Sequence, residues 1–130
     1  MRLLLDTHTL LWYTLNDPQL SGAAQALILD PANAVLVSPA TYWEIAIKVS
    51  IGKLALQQPY EDFIDACVNR YGFGLLPIEP AHTARVVTLP FPPNHKDPFD
   101  RLLAAQALVE NVPIVSCDVV FDVYGVQRLW

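Results

Sequence analysis

Acidic side chains follow apolar runs of this sequence and also open one of its helices. Asp6 follows one apolar run, and Asp118 follows another near the other end of the chain. Asp97 and Asp100 stand at the start of an apolar stretch with helical composition. Carboxylates that converge at one place repel one another, and some must take up protons unless a cation is present. The first question is therefore whether these acids converge.

The helix that begins near residue 97 has two acids with different prospects. Asp97 suits the N-cap, and Pro98 suits the first helical position. Asp100 lies three residues after the cap but is short for the reciprocal bond of a capping box. Capping therefore accounts well for Asp97, which could instead pair with Arg101. Asp100 is the better candidate for a ligand.

Glu44 lies within a helix among apolar neighbours, which favours a carboxylate that points partly inward. Lys48 follows four residues later, in the order that suits a surface ion pair on a helix. Both interpretations of Glu44, site ligand and surface pair, remain open from the spacing alone.

Short apolar runs alternate with helical segments along the whole chain. Proline at position 77 indicates an edge strand for the third run. The predicted strands span 2–5, 34–37, 75–78, 112–117 and 126–129. The predicted helices span 8–15, 22–29, 39–50, 59–71, 80–88 and 97–110, with a helical turn over 119–122.

This alternation predicts an α/β fold with a parallel sheet and right-handed crossovers. Ligands of such sheets bind beyond the carboxyl ends of the strands, where Asp6 and Asp118 are expected. Oxygen ligands without a His or Cys cluster favour Mg²⁺ or Mn²⁺ over zinc. A carboxylate-held Mg²⁺ with open coordination positions is typical of phosphate chemistry.

The bulk composition predicts a single domain over 1–130 with a substantial core. Hydrophobic residues make up 53% and charged residues 16% of the 130 positions. We expect neither a signal peptide nor a membrane span. Cys67 and Cys117 lie in apolar segments and are predicted as reduced core thiols of a cytoplasmic protein. The net charge of −5 argues, taken alone, against a nucleic-acid binder.

Other chemistries lack their residues. The five glycines are scattered, so no phosphate-binding loop is present, and the histidines are too dispersed for a zinc site. A haloacid-dehalogenase-like phosphatase needs a second aspartate where His8 stands. A receiver domain needs a lysine after its fifth strand, and none is found there. His95 precedes the acidic turn and is a candidate for contact with substrate.

Four segments of the chain, in a fixed order, carry a resemblance to a known family. They are Leu3 to His8, Ser38 to Leu54, His95 to Ala107 and Val115 to Val126. With these segments the chain resembles the PIN-domain ribonucleases, and among them the VapC-type toxins of bacterial toxin–antitoxin pairs. The resemblance implies a three-layer PIN-like fold, with a central parallel sheet of four to five strands flanked by helices.

The resemblance also implies a site and an activity. Four acids of the family hold Mg²⁺ or Mn²⁺ for hydrolysis of RNA, and three further positions lie beside them. A homodimer and a cognate antitoxin are implied as partners. The implied catalytic and metal-binding residues are Asp6, Glu44, Asp100 and Asp118, and the neighbouring positions are Asp97, Thr7 and Ser116. Cys117 departs from the small or polar residue expected before Asp118.

A metal site changes the meaning of the net charge. Two Mg²⁺ ions would bring the chain from −5 to −1, since they carry four positive charges. The candidates for contact with RNA phosphates are Lys48, Lys96, Arg101 and His95. Pairing of Lys48 with Glu44 and of Arg101 with Asp97 is the alternative. A general RNA-processing nuclease, or a PIN-like module that binds RNA or protein without cleaving, are the alternative functions.

Overall fold

A parallel five-stranded sheet forms the centre of the computed structural model, which describes residues 1–130. The strand order is β3-β2-β1-β4-β5, and every neighbouring pair is parallel. The strands are β1 (Arg2–Leu5), β2 (Ala34–Val37), β3 (Gly74–Leu75), β4 (Ile114–Val115) and β5 (Arg128–Leu129). The parallel α/β fold expected from the alternating segments is confirmed.

Seven helices connect the strands. Four helix starts are fixed by caps, in which a side chain accepts a hydrogen bond from an amide in the first turn of the helix that follows. The capping residues are Asp6, Ser21, Ser38 and Asp97. The helices are α1 (Thr7–Thr14), α2 (Gly22–Leu29), α3 (Pro39–Ser50), α4 (Tyr60–Asp65, continued by a π-helical stretch over Ala66–Arg70), α5 (Pro80–Val87), α6 (Pro98–Glu110) and α7 (Val120–Val123).

The sheet separates two apolar cores, so the molecule has three layers. Side chains of a strand alternate between faces, and Leu3 and Leu5 point to one core while Leu4 points to the other. The first core includes Leu10 of α1 and further residues of α2, α3 and α4. The second is built mainly from α6, with contributions from α7 and the segment after β3.

Strand β1 is the central strand and fixes the common edge at which the site residues lie. Leu4 is in register with Leu36 of β2 on one side and Ile114 of β4 on the other. The residues that leave these strands therefore emerge together, Asp6 after β1, Ser38 after β2 and Ser116 after β4.

Several local predictions differ from the structure. The third strand ends at Leu75 rather than at residue 78, and the fourth is limited to Ile114–Val115 because its ends leave the ladder. The last turns of α4 adopt π-helical bonding, which nothing in the local sequence indicated. Cys117 is exposed, so the prediction of two buried thiols is correct for Cys67 and wrong for Cys117.

Helix α6 begins and ends where local chemistry predicts. The Asp97 carboxylate accepts hydrogen bonds from the Phe99 and Asp100 amides at 2.9 and 3.0 Å. Asn111 closes the helix in the left-handed conformation, with φ of 52°, which asparagine adopts more readily than most residues. The predicted cap is thus confirmed, and Asp100 projects from the first turn.

Candidate active site

The site is built on the carboxyl-terminal edge of the sheet, and Asp6 is its most buried acid. Its Oδ1 accepts a hydrogen bond from the Thr9 amide at 2.8 Å, which makes Asp6 the N-cap of α1. Its Oδ2 accepts from the Ser116 hydroxyl, which stands at the end of β4. The same carboxylate therefore caps a helix and connects two neighbouring strands.

Asp6 is buried and makes no ion pair within the chain. The residue is 4% exposed, and the donors to its oxygens are an amide and a hydroxyl, both neutral. Desolvation raises the pKa of Asp6 above its ordinary value, and the hydrogen bonds from Ser116 and Thr9 and the charge of His8 oppose that rise. A cation bound at this edge would stabilise the ionised carboxylate.

Glu44 faces the same edge from α3. Its Oε1 accepts a hydrogen bond from the Thr7 hydroxyl at 2.6 Å, and its Oε2 lies 3.1 Å from the Lys48 ammonium. Thr41 Oγ1 lies 3.5 Å from the Thr7 hydroxyl oxygen. Glu44 is therefore both directed toward the residue next to Asp6 and paired with Lys48, so the two interpretations of its spacing are compatible.

Asp100 lies on the first turn of α6 and is held by the preceding loop. Its Oδ2 lies 3.1 Å from Nε2 of His95. Burial, followed by the negative charges of Asp97 and Asp118, raises the pKa of Asp100 to about 6, against the favourable effect of His95. Asp118 is thus one of the charges that affect Asp100, although its effect is smaller than that of Asp97.

Asp118 is the exposed member of the set. Its amide donates to the Ser116 hydroxyl at 3.0 Å, and its Oδ1 accepts from the Val120 amide at 3.0 Å. Ser116 therefore links Asp118 to Asp6 through one hydroxyl group. The carboxylates of Asp6 and Asp118 both raise the pKa of the Cys117 thiol, although its own desolvation is the larger cause.

The acids share an edge without forming a closed cage. No group of three or more His, Cys, Asp or Glu side chains is close enough to hold a metal ion in the present positions. The donor set nevertheless suits a hard divalent cation, because it consists of carboxylates whose charge is only partly balanced. The predicted ligands thus fit Mg²⁺ or Mn²⁺ in chemical type.

The candidates for RNA contact have different surroundings. Arg101 is 5% exposed, and its guanidinium donates to the Pro90 carbonyl and stacks on Phe91. It is therefore unavailable to RNA, and the prediction of an RNA contact at Arg101 is wrong. The proposed pair between Arg101 and Asp97 is also absent. Lys96 is exposed and makes no ion pair, while Lys48 is bound to Glu44.

Aromatic side chains flank the acids on two helices. Trp43 and Phe99 directly precede Glu44 and Asp100, and their rings meet edge to face at 5.4 Å. This contact contributes to the packing of α3 against α6. It therefore helps to set the separation between the two helices that carry these acids.

The sequence of the chain matches a described family. The family model described as PIN domain covers residues 3–126. The chain belongs to the PIN-domain family. The matched residues extend from the central strand β1 to Val126, just before β5, and they include all four candidate acids.

One known relative shares part of this sequence. Ribonuclease VapC16 of Mycobacterium tuberculosis (strain ATCC 25618 / H37Rv) is 37% identical over 60 residues, which are 46% of this chain and 43% of that protein. The match thus spans less than half of the relative.

Solved structures resemble this PIN domain over nearly its full length. VapBC2 from Rickettsia felis bound to a promoter DNA fragment matches with a TM-score of 0.71 at 16% identity, covering 99% of this chain and 98% of that one. VapBC-1 from nontypeable Haemophilus influenzae gives 0.67 at 21%, covering 99% and 97%. FitAcB from Neisseria gonorrhoeae gives 0.67 at 17%, covering 98% and 96%. At these identities the likeness shows the fold.

Tyr124 is a site residue that the sequence did not assign. Its hydroxyl lies 2.7 Å from Nδ1 of His95, although the two residues are 29 positions apart. A tyrosine in an apolar segment is normally assigned to the core, and Tyr124 is indeed 4% exposed. No spacing rule could have connected it to His95, because the contact depends on the placement of α7.

A separate cavity of about 440 Å³ lies beside β2 and the end of α4. Tyr13, Asp30, Arg70 and Phe73 are among its lining residues, and none of the four acids belongs to it. Because the candidate ligands lie elsewhere, this cavity is not the candidate active site.

Proposed function

We propose that this protein is a metal-dependent endoribonuclease of the VapC type, the toxin of a toxin–antitoxin pair. The observation that carries the proposal is Asp6, a buried carboxylate at the end of the central strand whose donors within the chain are neutral. Asp118 is joined to it through Ser116, and Asp118 acts on Asp100 by charge. This edge therefore carries an excess of negative charge, which a divalent cation would offset.

The relatives support the same activity. The mycobacterial relative is named a ribonuclease, and the solved structures are named as complexes of the VapBC and FitAB kind. Because the mycobacterial match covers 43% of that protein, its activity is transferred here as part of the proposal. The PIN family membership and the presence of all four acids favour that transfer.

Asp6, Asp100 and Asp118 would hold Mg²⁺ or Mn²⁺, and Glu44 would hold a metal or orient the attacking water. The bound ion supplies polarisation of the phosphoryl oxygen, a more acidic water and stabilisation of the leaving oxygen. Asp97 fixes the helix start that presents Asp100.

Hydroxyl groups hold the two most constrained acids in place. Ser116 binds Asp6, and Thr7 binds Glu44, so a hydroxyl orients one oxygen of each carboxylate, while Thr9 and Lys48 contact the others. Such donors reduce the reorganisation needed when a metal ion and substrate bind. Loss of either hydroxyl should therefore weaken metal binding without removing a ligand.

RNA would approach over the exposed rim of the site. Lys96 is available to bind an RNA phosphate. Lys48 would release Glu44 and contact a phosphate when the Glu44 carboxylate turns to a metal ion. His95 is 19% exposed in its side chain and is already bound to Asp100, so its contact with RNA would be secondary.

A cognate antitoxin and a second copy of the chain are the proposed partners, and the cytoplasm is the proposed location. No helix of the protein has the length and apolar character needed to cross a bilayer. The alternative function is a PIN domain that binds RNA or protein without cleaving. The absence of a closed metal cage is the observation that favours that alternative.

Cleavage of a single-stranded RNA tests the proposal. The purified protein should cut a quenched fluorescent RNA with Mg²⁺ or Mn²⁺, and EDTA should stop the reaction. Asp6→Asn and Asp100→Asn should each lower the rate by more than about 100-fold, because loss of groups that only support metal ligands already costs about 10–100-fold.

The matched control for charge is Asp62→Asn, which neutralises an exposed acid of α4 that makes no side-chain hydrogen bond. That variant should cleave at the rate of the unaltered protein. Full activity of Asp6→Asn, or activity that survives EDTA, would contradict the proposal. RNA binding without any cleavage would instead favour the binding module.

A further inference from the structure

A chain of side chains leads from the buried core to Asp100. Arg101 Nη1 lies 3.4 Å from the Tyr124 hydroxyl oxygen, which lies 2.7 Å from Nδ1 of His95. Nε2 of His95 lies 3.1 Å from Oδ2 of Asp100. We call these four residues, Arg101, Tyr124, His95 and Asp100, the relay.

The direction of hydrogen bonding in the relay follows from its two ends. An ionised carboxylate can only accept, so Nε2 of His95 donates its proton to Asp100. In a neutral imidazole Nδ1 then carries no proton and accepts from the Tyr124 hydroxyl. A guanidinium can only donate, so Arg101 donates to the Tyr124 oxygen.

The relay is anchored on rigid parts of the molecule. Arg101 is 5% exposed and is held by the Pro90 carbonyl at 2.7 Å and by the ring of Phe91 at 3.8 Å. Tyr124 is 4% exposed within the second core. The relay therefore fixes one oxygen of Asp100 from the protein side, and no side-chain hydrogen bond reaches the other oxygen.

We propose that Tyr124 and His95 are positioning residues for metal binding, which together orient the Asp100 carboxylate and leave its Oδ1 for the ion. This inference rests on the proposed function, since it assigns the two residues to the same metal site. Hydrogen-bonded partners of this kind set the orientation of a metal ligand and its affinity for the ion. The inference explains how the buried Arg101 belongs to the site without touching substrate, and it gives His95 a role besides any contact with RNA.

The direct test is Tyr124→Phe, which removes one hydroxyl and retains the buried ring. Its matched control is Tyr60→Phe, because the Tyr60 hydroxyl also makes one hydrogen bond, at 3.1 Å to the Tyr42 carbonyl, away from the relay. Titration calorimetry with Mn²⁺ alone should show affinity about 10-fold lower for Tyr124→Phe. Tyr60→Phe should bind Mn²⁺ as the unaltered protein does.

Histidine nitrogen spectra give a readout that is independent of both metal and activity. At about pH 8, where free histidine is neutral, His95 should show the Nε2–H tautomer in the unaltered protein. Tyr124→Phe should shift the Nδ1 resonance, because Nδ1 loses its hydrogen-bond donor, while Asp100 keeps the proton on Nε2. His82 is the internal reference, because its Nδ1 accepts from the Glu79 amide at 2.9 Å and should stay unchanged.

A second pair of variants covers the case in which Tyr124→Phe does not fold. His95 lies in a loop, and His95→Ala should weaken Mn²⁺ binding by a similar factor. His95→Gln keeps a donor for Asp100 and should recover part of the affinity. RNA cleavage by these variants should rise toward that of the unaltered protein as Mn²⁺ is increased.

The outcomes separate the relay from the proposed function. Mn²⁺ binding by Tyr124→Phe within about twofold of Tyr60→Phe, a factor well below the expected loss, overturns the relay alone. An unchanged Nδ1 resonance of His95 in Tyr124→Phe does the same. If the unaltered protein binds no Mn²⁺ at all, the metal-dependent function and the role of the relay both fail. Normal Mn²⁺ binding without RNA cleavage overturns the nuclease function while the relay stands on its binding data.

Discussion

At the residue scale, two acids of the site have few partners that could neutralise them. Asp6 is held by an amide and a hydroxyl, and Asp100 by His95. Burial raises the pKa of Asp6, and burial together with repulsion from Asp97 and Asp118 raises the pKa of Asp100, so the ionised forms are disfavoured in the folded protein. The folded chain without metal therefore carries an electrostatic cost at neutral pH, which a bound divalent cation would relieve.

Replacement of Asp100 by asparagine should stabilise the metal-free protein at pH 7.5. The pKa of Asp100 is about 6 when folded, against an ordinary value of 3.8, so the folded state binds the proton more tightly. The stability that comes from protonation is fully present below about 3.8 and is lost as the pH rises through about 6. The Asp100→Asn variant would escape that loss, which amounts to about 1–3 kcal/mol.

Urea unfolding in EDTA, at several pH values, measures this effect. The advantage of Asp100→Asn should be nearly full above about pH 6.5 and should disappear below about pH 3, where the aspartate is protonated in both states. A constant difference across that range would show that packing, rather than charge, controls the stability at this position.

At the element scale, α6 is the part of the fold that most directly presents the site. Asp97 caps the helix, Asp100 projects from its first turn, and Arg101 points back into the core. The buried run that follows, from Leu103 to Ala107, fixes the helix against the sheet. Capping, presentation of a ligand and anchoring of the relay are thus assigned to neighbouring residues of one helical turn.

The cap of α6 can be tested separately from the ligand. Asp97→Ala should lower the free energy of unfolding by about 0.5–2 kcal/mol, because the Phe99 and Asp100 amides lose their acceptor. Asp97→Asn keeps an acceptor oxygen and should retain most of the stability. Urea unfolding of both variants, with Ser21→Ala of the α2 cap as comparison, measures the difference.

Cleavage by Asp97→Asn then decides whether Asp97 also touches metal. A residue that only caps should tolerate the change, so the variant should cleave RNA at a rate close to that of the unaltered protein. A loss as large as that of Asp100→Asn would instead place Asp97 among the metal ligands.

At the scale of the whole molecule, a substantial part of the negative charge belongs to the candidate site. The net charge is −5, and four of the thirteen acids belong to the candidate site. Bound divalent ions would remove much of this charge before RNA approaches. Net acidity is therefore compatible with an RNA substrate, although composition taken alone pointed the other way.

Divalent cations should raise the melting temperature of the whole chain. An ion that binds only the folded state adds about 2.7 kcal/mol of stability at 100 times its dissociation constant. For a domain of this size the corresponding shift is several degrees. Thermal unfolding with increasing Mg²⁺ or Mn²⁺ measures it, and EDTA should reverse it.

Asp6→Asn should show little of this shift, since it lacks a principal ligand, whereas Asp62→Asn should show all of it. An equal rise in all three proteins would point to general charge screening instead of a defined site.

The sequence by itself determined the order of elements and the edge at which the acids lie. Strands 2–5 and 34–37 and the caps at Ser38 and Asp97 follow from local patterns, because capping and alternation are decided within a few residues. The short β3 and β4 were less predictable, since their ends depend on whether a neighbouring strand is present.

Only the tertiary structure decided what each polar side chain of the site touches. Arg101 had the type and spacing of a phosphate contact, yet the folded chain buries it under Phe91 and directs it to Tyr124. His95 and Tyr124 meet across 29 positions through the packing of α7 against α6. Contacts of this kind depend on how whole elements pack, and local sequence patterns do not predict which distant residues meet.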